Sequence, residues 1–248
     1  EAGVALVNNP SESKYEVSKT AARYLARVLK NDMVVGLTWG RTMKRLIDAF
    51  DEENLGKTLK IKGVQVVPFL GTNSPSSTDN DYLRLTYSSL LSSKLAELIR
   101  GINYSLPAPM YVKNPELYNL LIQEPEISIT LKKATQCQVA LIGIGLPNED
   151  SAIGCLDEEK AQMLRELKKE GGVGEILGRV FDQNGQTIHS DFDQKIIGLS
   201  LEDLQKIPTR VGIAYGTKKI EAIKVALQSG LINVLITDHL TAQELLNE

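Results

Sequence analysis

The chain has 248 residues, of which 42% are hydrophobic and 24% charged, and its net charge is −3. This is the composition of an ordinary globular protein with enough residues to bury a sizeable core. The near balance of 28 basic and 31 acidic side chains excludes a general electrostatic attraction to nucleic acid or to an anionic membrane.

Few residues are suited to metal or redox chemistry. Cys137 and Cys155 do not have the spacing of a zinc site or a redox pair, and the two histidines, His189 and His239, are too few for a histidine-ligated metal or a serine triad. No apolar run reaches the ~18–20 residues that span a bilayer, and the first ten residues do not resemble a signal peptide. We therefore expect a cytoplasmic protein with no metal, no cofactor, no membrane partner and no catalytic residue.

The first half of the chain alternates helical and extended patterns. In chain order we predict a helix at about 17–28, a strand at 33–37, a turn at 36–42, a helix from 43, a strand at 64–69, a polar loop at 71–80, a helix with Leu91, Leu95 and Leu98 on one face, an extended stretch at 103–112 and helical residues to about 134. This rhythm is typical of successive βα units.

The second half begins with a buried-type strand at 138–144 and changes its rhythm near residue 173. Asn184-Gly185 lies between short extended runs at 179–183 and 186–188, which predicts a β-hairpin. After it we predict a strand at 210–215, a helix at 218–229, a strand at 232–237 and a helix at 238–246.

The alternation predicts an α/β fold, a doubly wound and mainly parallel sheet flanked by helices. The hairpin region, at about 173–200, would be an insertion or a small lobe beside that sheet. There is no internal repeat and no low-complexity linker. We therefore expect residues 1–248 to form one ligand-binding domain.

Three predicted strand-to-helix turns are rich in glycine and hydroxyl side chains. They are residues 36–42, the turn at Gly143 and Gly145, and residues 215–219. Because open α/β sheets bind ligands beyond the carboxyl ends of their strands, where helix N-termini attract anions, these turns predict an anion-binding crevice. Arg41, Lys218 and Lys219 would add the positive charge that a phosphate group requires.

A purely structural interpretation competes with this one. Glycines permit tight βα connections and threonines cap helices, and for a single turn this interpretation is the stronger. The third glycine of a dinucleotide fingerprint is missing after Gly143 and Gly145, and there is no GxxxxGK[ST] phosphate loop. It is the presence of three such turns in one predicted sheet that favours a ligand site.

Trp39 and Asp182 each have two possible roles. Trp39 either packs in the core or stacks on a ligand. Asp182 either stabilises the Asn-Gly turn through side-chain hydrogen bonds or accepts hydrogen bonds from sugar hydroxyls. The sequence alone favours neither role for Asp182.

Taken together, the segments resemble the effector-binding domain of SorC-type bacterial transcriptional regulators. The matching pieces are GLTWGRTM (36–43), VVPFLG (66–71), LPAPMYV (106–112), ALIGIG (140–145), GGVGEILGRVFDQNGQTI (171–188), RVGIAYGTKKIEAIKVAL (210–227) and INVLITDHLTAQELL (232–246). Their order and spacing extend over nearly the whole chain, and the combination is specific although no single piece is.

The resemblance implies a domain similar in fold to sugar-phosphate isomerases and deaminases that binds a sugar or sugar-phosphate inducer and catalyses nothing. In the full-length protein, a homodimer or tetramer would bind operator DNA through an N-terminal helix-turn-helix domain that is absent from this chain. The family's ligand residues map onto Thr38, Trp39, Gly40, Arg41, Thr42, Gly71, Thr72, Gly143, Gly145, Asp182, Gly216 and Lys219. Asp182 would hold sugar hydroxyls and Lys219 an anionic oxygen.

Two departures from the family pattern remove positive charge. Several relatives carry arginine or lysine just before the glycine at 71, where this chain has Leu70, and a lysine there can form a Schiff base with a sugar. Glu170 occupies a position that is basic in some relatives. Either helix N-termini, Arg41 and Lys219 hold the phosphate, or the ligand is less charged.

Two other functions remain open. An aldose–ketose isomerase or amino-sugar-phosphate deaminase needs a general base near the sugar carbonyl, for which Glu149, Asp150 and Asp182 are candidates. The deaminases carry an Asp-Gly-His sequence that is missing after Gly145. A pure dimerisation domain is the third possibility, and it would make no use of Lys219.

Overall fold

The computed structural model describes residues 1–72 and 86–247. Within these ranges the strands are β1 (Ala2–Ala5), β2 (Val34–Leu37), β3 (Gln65–Pro68), β4 (Ile102–Asn103), β5 (Val139–Gly143), β6 (Gly174–Ile176), β7 (Arg179–Phe181), β8 (Thr209–Ile213) and β9 (Val234–Asp238).

The helices of the same ranges are α1 (Ser13–Val28), α2 (Arg41–Glu52), α3 (Leu55–Thr58), α4 (Ser88–Leu98), α5 (Pro115–Leu121), α6 (Pro125–Ala134), α7 (Glu158–Lys169), α8 (Leu201–Gln205), α9 (Ile220–Gln228) and α10 (His239–Asn247). None of them is long and apolar enough to cross a membrane. From residue 73 onward, the predicted loop at 71–80 lies outside the described residues.

One sheet organises the domain. Its seven strands are all parallel and lie in the order β1-β9-β8-β5-β2-β3-β4. The chain adds β3 and β4 on one side of β2, and then β5, β8 and β9 on the other side. The direction of winding therefore reverses between β2 and β5, and such a reversal opens a ligand crevice at the carboxyl ends of the two strands.

Alternate side chains of each strand point into two hydrophobic cores, one on each face of the sheet. Val34 and Val35 of β2 illustrate this, because they belong to different clusters. Helices α1, α2 and α4 pack into the cluster of Val35. Helices α6 to α9 pack into the cluster of Val34. This confirms the predicted α/β fold with helices on both faces of a parallel sheet.

The predicted hairpin is present, but it is formed differently. The antiparallel partner of β7 is β6, which precedes it, and Leu177 and Gly178 make the tight turn with φ of 57° and 75°. The Asn184-Gly185 turn adds only an isolated bridge between Phe181 and Thr187. We predicted the second turn from its Asn-Gly pair and missed the first, because leucine rarely adopts positive φ.

The hairpin segment is an insertion that joins the main core. Ile176 and Phe181 lie in the same hydrophobic cluster as Ile142 of β5. Arg179 and Asp193 form an ion pair with N and O 2.5 Å apart, and the two side chains are only 8% and 11% exposed. This pair fastens the hairpin to the segment that follows it.

Both edge strands of the sheet escaped prediction. β1 has four residues and β4 has two, which is too short to show a periodicity. β1 pairs with β9 at the other end of the chain, with Ala5 opposite Asp238. The residues that follow β1 are thereby placed at the carboxyl ends of the strands, where the predicted turns also lie.

Candidate functional site

A cavity of about 570 Å³ lies at the carboxyl ends of the parallel strands. Its walls come from the turns after β2, β5, β8, β9 and β1, together with two residues of the β6–β7 hairpin. Volumes of this size suit a small-molecule ligand. The cavity includes the switch point between β2 and β5.

The turn after β2 starts helix α2 at the cavity wall. Gly40 is the residue before the helix and has φ of +103°, a conformation that side-chain-bearing residues rarely adopt. Its N–H donates to the carbonyl oxygen of Thr86 at 2.9 Å. The first N–H groups of α2 have no acceptor within the helix and carry its positive dipole end, so they form a potential anion site.

Thr38 joins the turns after β2 and β5. It is 2% exposed, and its Oγ1 accepts a hydrogen bond from the N–H of Gly143 at 3.3 Å. Trp39 is also buried and belongs to the core while it lines the cavity. Its indole therefore packs in the core and at the same time presents part of its surface to the site.

Two arginines of α2 anchor the cavity to other turns. Arg41 donates through Nη2 to the carbonyl oxygen of Asp150, and Arg45 donates through Nη1 to the hydroxyl of Tyr215 at 2.9 Å. Arg41 is exposed. Asp150 lines the cavity, whereas Glu149 lies 3.7 Å from Arg165 in an ion pair.

The turn after β8 is fixed by the end of β9. Gly216 has φ of +93°, and its N–H donates to Oγ1 of Thr241 at 2.8 Å. Thr241 in turn donates from Oγ1 to Oδ2 of Asp238 at 3.1 Å and from its N–H to Oδ1 at 2.8 Å. Asp238 and Thr241 are almost fully buried, so this network holds the glycine turn rigidly at the cavity.

Lys219 reaches from this turn towards β5. Its Nζ donates to the carbonyl oxygen of Ile144 at 2.6 Å. Burial lowers its pKa, the carboxylate of Glu175 opposes that change, and the charges of Arg41 and Arg45 add to it. A cluster of positive charge therefore lies at the switch point, where it would favour an anionic group.

Glu175, a residue that sequence reasoning missed, lies in this cavity. It is 7% exposed, and its Oε1 accepts a hydrogen bond from the N–H of Gly178 at 2.6 Å. Burial raises the pKa of its carboxyl to about 7, against the opposing effects of the Gly178 N–H and the Lys219 charge. The signal was present in the sequence as an acidic residue inside an otherwise apolar run, VGEILG.

The Glu175 side chain is placed by a strand-like contact with the turn after β5. The backbones of Gly145 and Glu175 exchange hydrogen bonds of 2.8 and 3.0 Å. A Cβ atom on Gly145 would lie 2.5 Å from Oε2 of Glu175. A residue with a Cβ atom at position 145 would therefore force the Glu175 carboxylate to move away from this turn.

The structure brings most of the predicted site residues to one cavity. Those that line it are Thr38, Trp39, Gly40, Arg41, Thr42, Gly143, Gly145, Gly216 and Lys219. Further lining residues that were not predicted include Pro10, Ser13, Asn148, Glu175, Asp238 and Thr241.

Gly71 and Thr72 do not line the cavity. The N–H of Gly71 donates to the carbonyl oxygen of Ile197, and Thr72 pairs with Pro109 in an isolated bridge. The Oγ1 of Thr72 lies 3.1 Å from Oγ of Ser89. Both residues therefore serve to join two backbone segments in the structure.

Asp182 also lies outside the cavity. Its Oδ1 accepts hydrogen bonds from the N–H groups of Asn184 at 2.8 Å and Gln186 at 2.9 Å. This is the turn-stabilising role that the sequence allowed. The expected role in holding sugar hydroxyls stays a prediction, since Asp182 does not line this cavity and its Oδ1 already accepts these two hydrogen bonds.

The two departures from the family pattern do not alter the charge of the cavity. Leu70 is 1% exposed in the hydrophobic core, and Glu170 is exposed at the end of α7. Neither residue lines the cavity. Among the described residues there is also no cluster of three or more histidine, cysteine or acidic side chains that could hold a metal ion.

Fold and cavity together define an α/β domain that receives a small ligand at the carboxyl edge of a parallel sheet. The family model described as "Putative sugar-binding domain" matches residues 4–247. The chain belongs to this sugar-binding domain family.

Curated relatives of the chain are bacterial transcriptional regulators. The deoxyribonucleoside regulator of Bacillus subtilis is 27% identical over 237 residues, which are 94% of this chain and 71% of that protein. The transcriptional regulator YjhU of Escherichia coli is 31% identical over 233 residues, 93% of this chain and 66% of that protein. The chain thus spans about two thirds of these relatives.

Solved structures of regulators share the fold. The full-length sorbitol operon regulator SorC of Klebsiella pneumoniae matches with a TM-score of 0.87 at 24% identity, over 99% of this chain and 76% of that one. A DeoR family transcriptional regulator of Listeria monocytogenes matches with a TM-score of 0.81 at 25% identity, over 99% and 93%. The predicted resemblance to SorC-type regulators is confirmed.

Proposed function

We propose that this chain is the sensing domain of a bacterial transcriptional regulator and that it binds a phosphorylated sugar without transforming it. The observation that carries the proposal is the convergence of Arg41, Lys219 and the N-terminus of α2 on one cavity at the switch point of the sheet. The family and the regulatory relatives support the same assignment.

The charged end of the cavity is suited to the phosphate group. The first N–H groups of α2, after the positive-φ Gly40, supply donors and a positive dipole end. Lys219 adds a half-buried ammonium group, and partial desolvation makes its hydrogen bond to an anionic oxygen stronger. The structure therefore supports the phosphate-binding role that we predicted for this lysine.

The hydroxyl-bearing part of the sugar would meet Glu175 in place of Asp182. A buried carboxylate at a cavity wall can accept hydrogen bonds from sugar hydroxyls, and these bonds offset part of the free energy lost when the carboxylate was buried. Asn148 also lines the cavity and offers both a donor and an acceptor. These two side chains would orient the ring relative to the phosphate.

In the complete protein, the ligand would alter binding to operator DNA. We place the DNA-binding part in an N-terminal helix-turn-helix domain outside this chain, and we expect a cytoplasmic homodimer or homotetramer. Ligand binding would change DNA affinity only by the free energy that couples the two sites. Residues 1–248 would form the effector-binding domain.

One observation favours a second function, that of a sugar-phosphate isomerase or deaminase. Glu175 has a pKa of about 7 in the cavity, and a general base works best when its pKa is close to the operating pH. Lys219 next to it would stabilise negative charge that develops on a carbonyl oxygen. Turnover of ribose 5-phosphate or glucosamine 6-phosphate, followed by NMR, would establish this function in place of the first.

Isothermal titration calorimetry tests the main proposal. The 248-residue chain is titrated with matched pairs of sugars that differ only in a phosphate, such as ribose and ribose 5-phosphate or glucose and glucose 6-phosphate. We expect measurable binding for at least one phosphorylated member and much weaker binding for its unphosphorylated partner. If a correctly folded chain binds no phosphorylated sugar of a broad panel, the proposal is wrong.

A further inference from the structure

The cavity extends well beyond the switch point between β2 and β5. Its lining residues follow the carboxyl ends of five neighbouring strands in the order β2, β5, β8, β9 and β1. At the spacing of strands in a sheet, four intervals correspond to ~19 Å. The positive groups come from the turns after β2 and β8. They are Arg41, the exposed Lys218, and Lys219, whose Nζ donates to the carbonyl oxygen of Ile144 after β5. The part of the cavity that follows β9 and β1 would lie well beyond a phosphate bound among these positive groups.

A hydroxyl that opens into the cavity and has no protein partner among the described residues marks this far end. Ser13 is the first residue of α1, is 3% exposed and lines the cavity. Within the described part of the chain, its Oγ has no hydrogen-bond partner. The hydroxyls of Ser18 and Thr20 in the same helix, by contrast, donate to the carbonyl oxygens of Lys14 and Glu16 at 2.6 and 2.8 Å. Because the Ser13 hydroxyl is not among the fully buried polar atoms and faces the cavity, a ligand hydroxyl that reaches it gains a hydrogen bond.

The chemistry around Ser13 suits a neutral, hydroxylated group. The neighbouring polar pair, Asp238 and Thr241, is already bonded internally. Pro10 and Leu240 add apolar surface. No lysine or arginine of the described residues lines the cavity from the turns after β9 and β1. This combination of apolar surface and a free hydroxyl fits a sugar ring better than a second anionic group.

We infer that the ligand is an extended phosphorylated sugar, a disaccharide phosphate or a molecule of similar length, whose second hydroxylated unit binds Ser13. This inference rests on the proposed function, because it assumes that the phosphate lies among Arg41, Lys219 and the N-terminus of α2. It adds that Ser13 determines specificity for ligand length. A monosaccharide phosphate would occupy the charged end and leave Ser13 without a ligand contact.

Calorimetry with ligands of two lengths tests the inference. Glucose 6-phosphate represents the short class, and trehalose 6-phosphate and sucrose 6-phosphate represent the long class. We expect at least one long ligand to bind at least tenfold more tightly than the short one. Ser13→Ala should weaken the long ligand about fivefold, the effect of one neutral hydrogen bond, and leave the short ligand unchanged. Ser18→Ala is the control, since it removes a hydroxyl of the same helix that does not line the cavity.

The outcomes separate this inference from the function on which it rests. Tighter binding of a long ligand, reduced by Ser13→Ala and not by Ser18→Ala, supports it. If glucose 6-phosphate or another monosaccharide phosphate binds and both disaccharide phosphates bind no more tightly, the inference is overturned and the proposed function stands. If no phosphorylated sugar of either length binds the folded chain, the proposed function itself fails. Because the comparison of ligand lengths uses the unaltered chain, it does not depend on how the variants fold.

Discussion

Nζ of Lys219, in the turn after β8, donates a hydrogen bond of 2.6 Å to the carbonyl oxygen of Ile144, in the turn after β5. The two residues are 75 positions apart in the chain, and their strands are neighbours in the sheet. The bond holds the ammonium group at the cavity while no anion is present. An arriving phosphate would thus meet a lysine that is already oriented, which reduces the entropy lost on binding.

Replacing Lys219 by methionine should reduce the affinity for phosphorylated sugars about 10- to 100-fold, because it removes a charge-assisted hydrogen bond worth ~1.5–3 kcal/mol. The unphosphorylated partner of each sugar should bind with little change. Calorimetry on both members of a pair measures the difference. Lys168→Met is the control, since Lys168 is exposed on α7 and does not line the cavity. Equal losses for phosphorylated and unphosphorylated sugars would contradict the assigned role.

Replacing Gly40 by alanine should destabilise the domain and weaken ligand binding. Gly40 has φ of +103°, which an alanine adopts at a cost of ~1–3 kcal/mol, although the added Cβ would have room, with its nearest neighbour 3.9 Å away. Gly171 has almost the same φ, +102°, and lies outside the cavity. Thermal unfolding should show a similar loss for Gly40→Ala and Gly171→Ala, while only the first impairs binding. An equal effect of both variants on affinity would show that the Gly40 turn has no special role.

The buried carboxyl of Glu175 should make stability depend on pH. Its pKa is about 7 in the folded chain, against an ordinary value of 4.5 for a glutamate, so well below pH 4.5 it is protonated in both the folded and the unfolded states. As pH rises from 4.5 to 7, the unfolded chain releases this proton and the folded chain retains it. The folded state therefore loses stability over this range, by ~3 kcal/mol in total, and the loss levels off above pH 7.

Glu175→Gln removes this titration and keeps an oxygen that can accept from the N–H of Gly178. The variant should gain stability relative to the unaltered chain as pH rises from 4.5 to 7. Urea unfolding at a series of pH values measures the difference. Glu166→Gln, at an exposed position of α7, should not show such a trend. A pH-independent difference between Glu175→Gln and the unaltered chain would refute the raised pKa.

Replacing Asp182 by alanine should reduce the stability of the hairpin region and leave sugar binding intact. The carboxylate accepts two backbone N–H groups of its own turn, and the loss of such a side-chain cap costs ~1–2 kcal/mol. Denaturant unfolding and calorimetry on the same variant separate the two effects. A large loss of affinity in a fully folded variant would instead support the ligand-binding role that the family resemblance implies.

The sequence by itself determined the parallel α/β fold and most of the cavity. The apolar strands and the turns at Gly40, Gly145 and Gly216 could be predicted because their signals are local. A glycine at a strand end and an amphipathic helix after it do not depend on distant residues. The turn at Asp182 could be predicted for the same reason. Its role could not, because a carboxylate before Asn-Gly has the same local pattern whether or not it also contacts a ligand.

Only the tertiary structure decided which residues share the cavity. Glu175 reaches it because the hairpin backbone pairs with Gly145, and Ser13 reaches it because β1 pairs with β9, more than 200 residues away. Neither pairing leaves a periodic signal, since one is an isolated bridge and the other involves a strand of four residues. The carboxyl ends of parallel strands lie at one edge of the sheet, whatever the order of the strands along the chain. Which residues meet at that edge depends on which strands are neighbours in the sheet, and local sequence does not determine this.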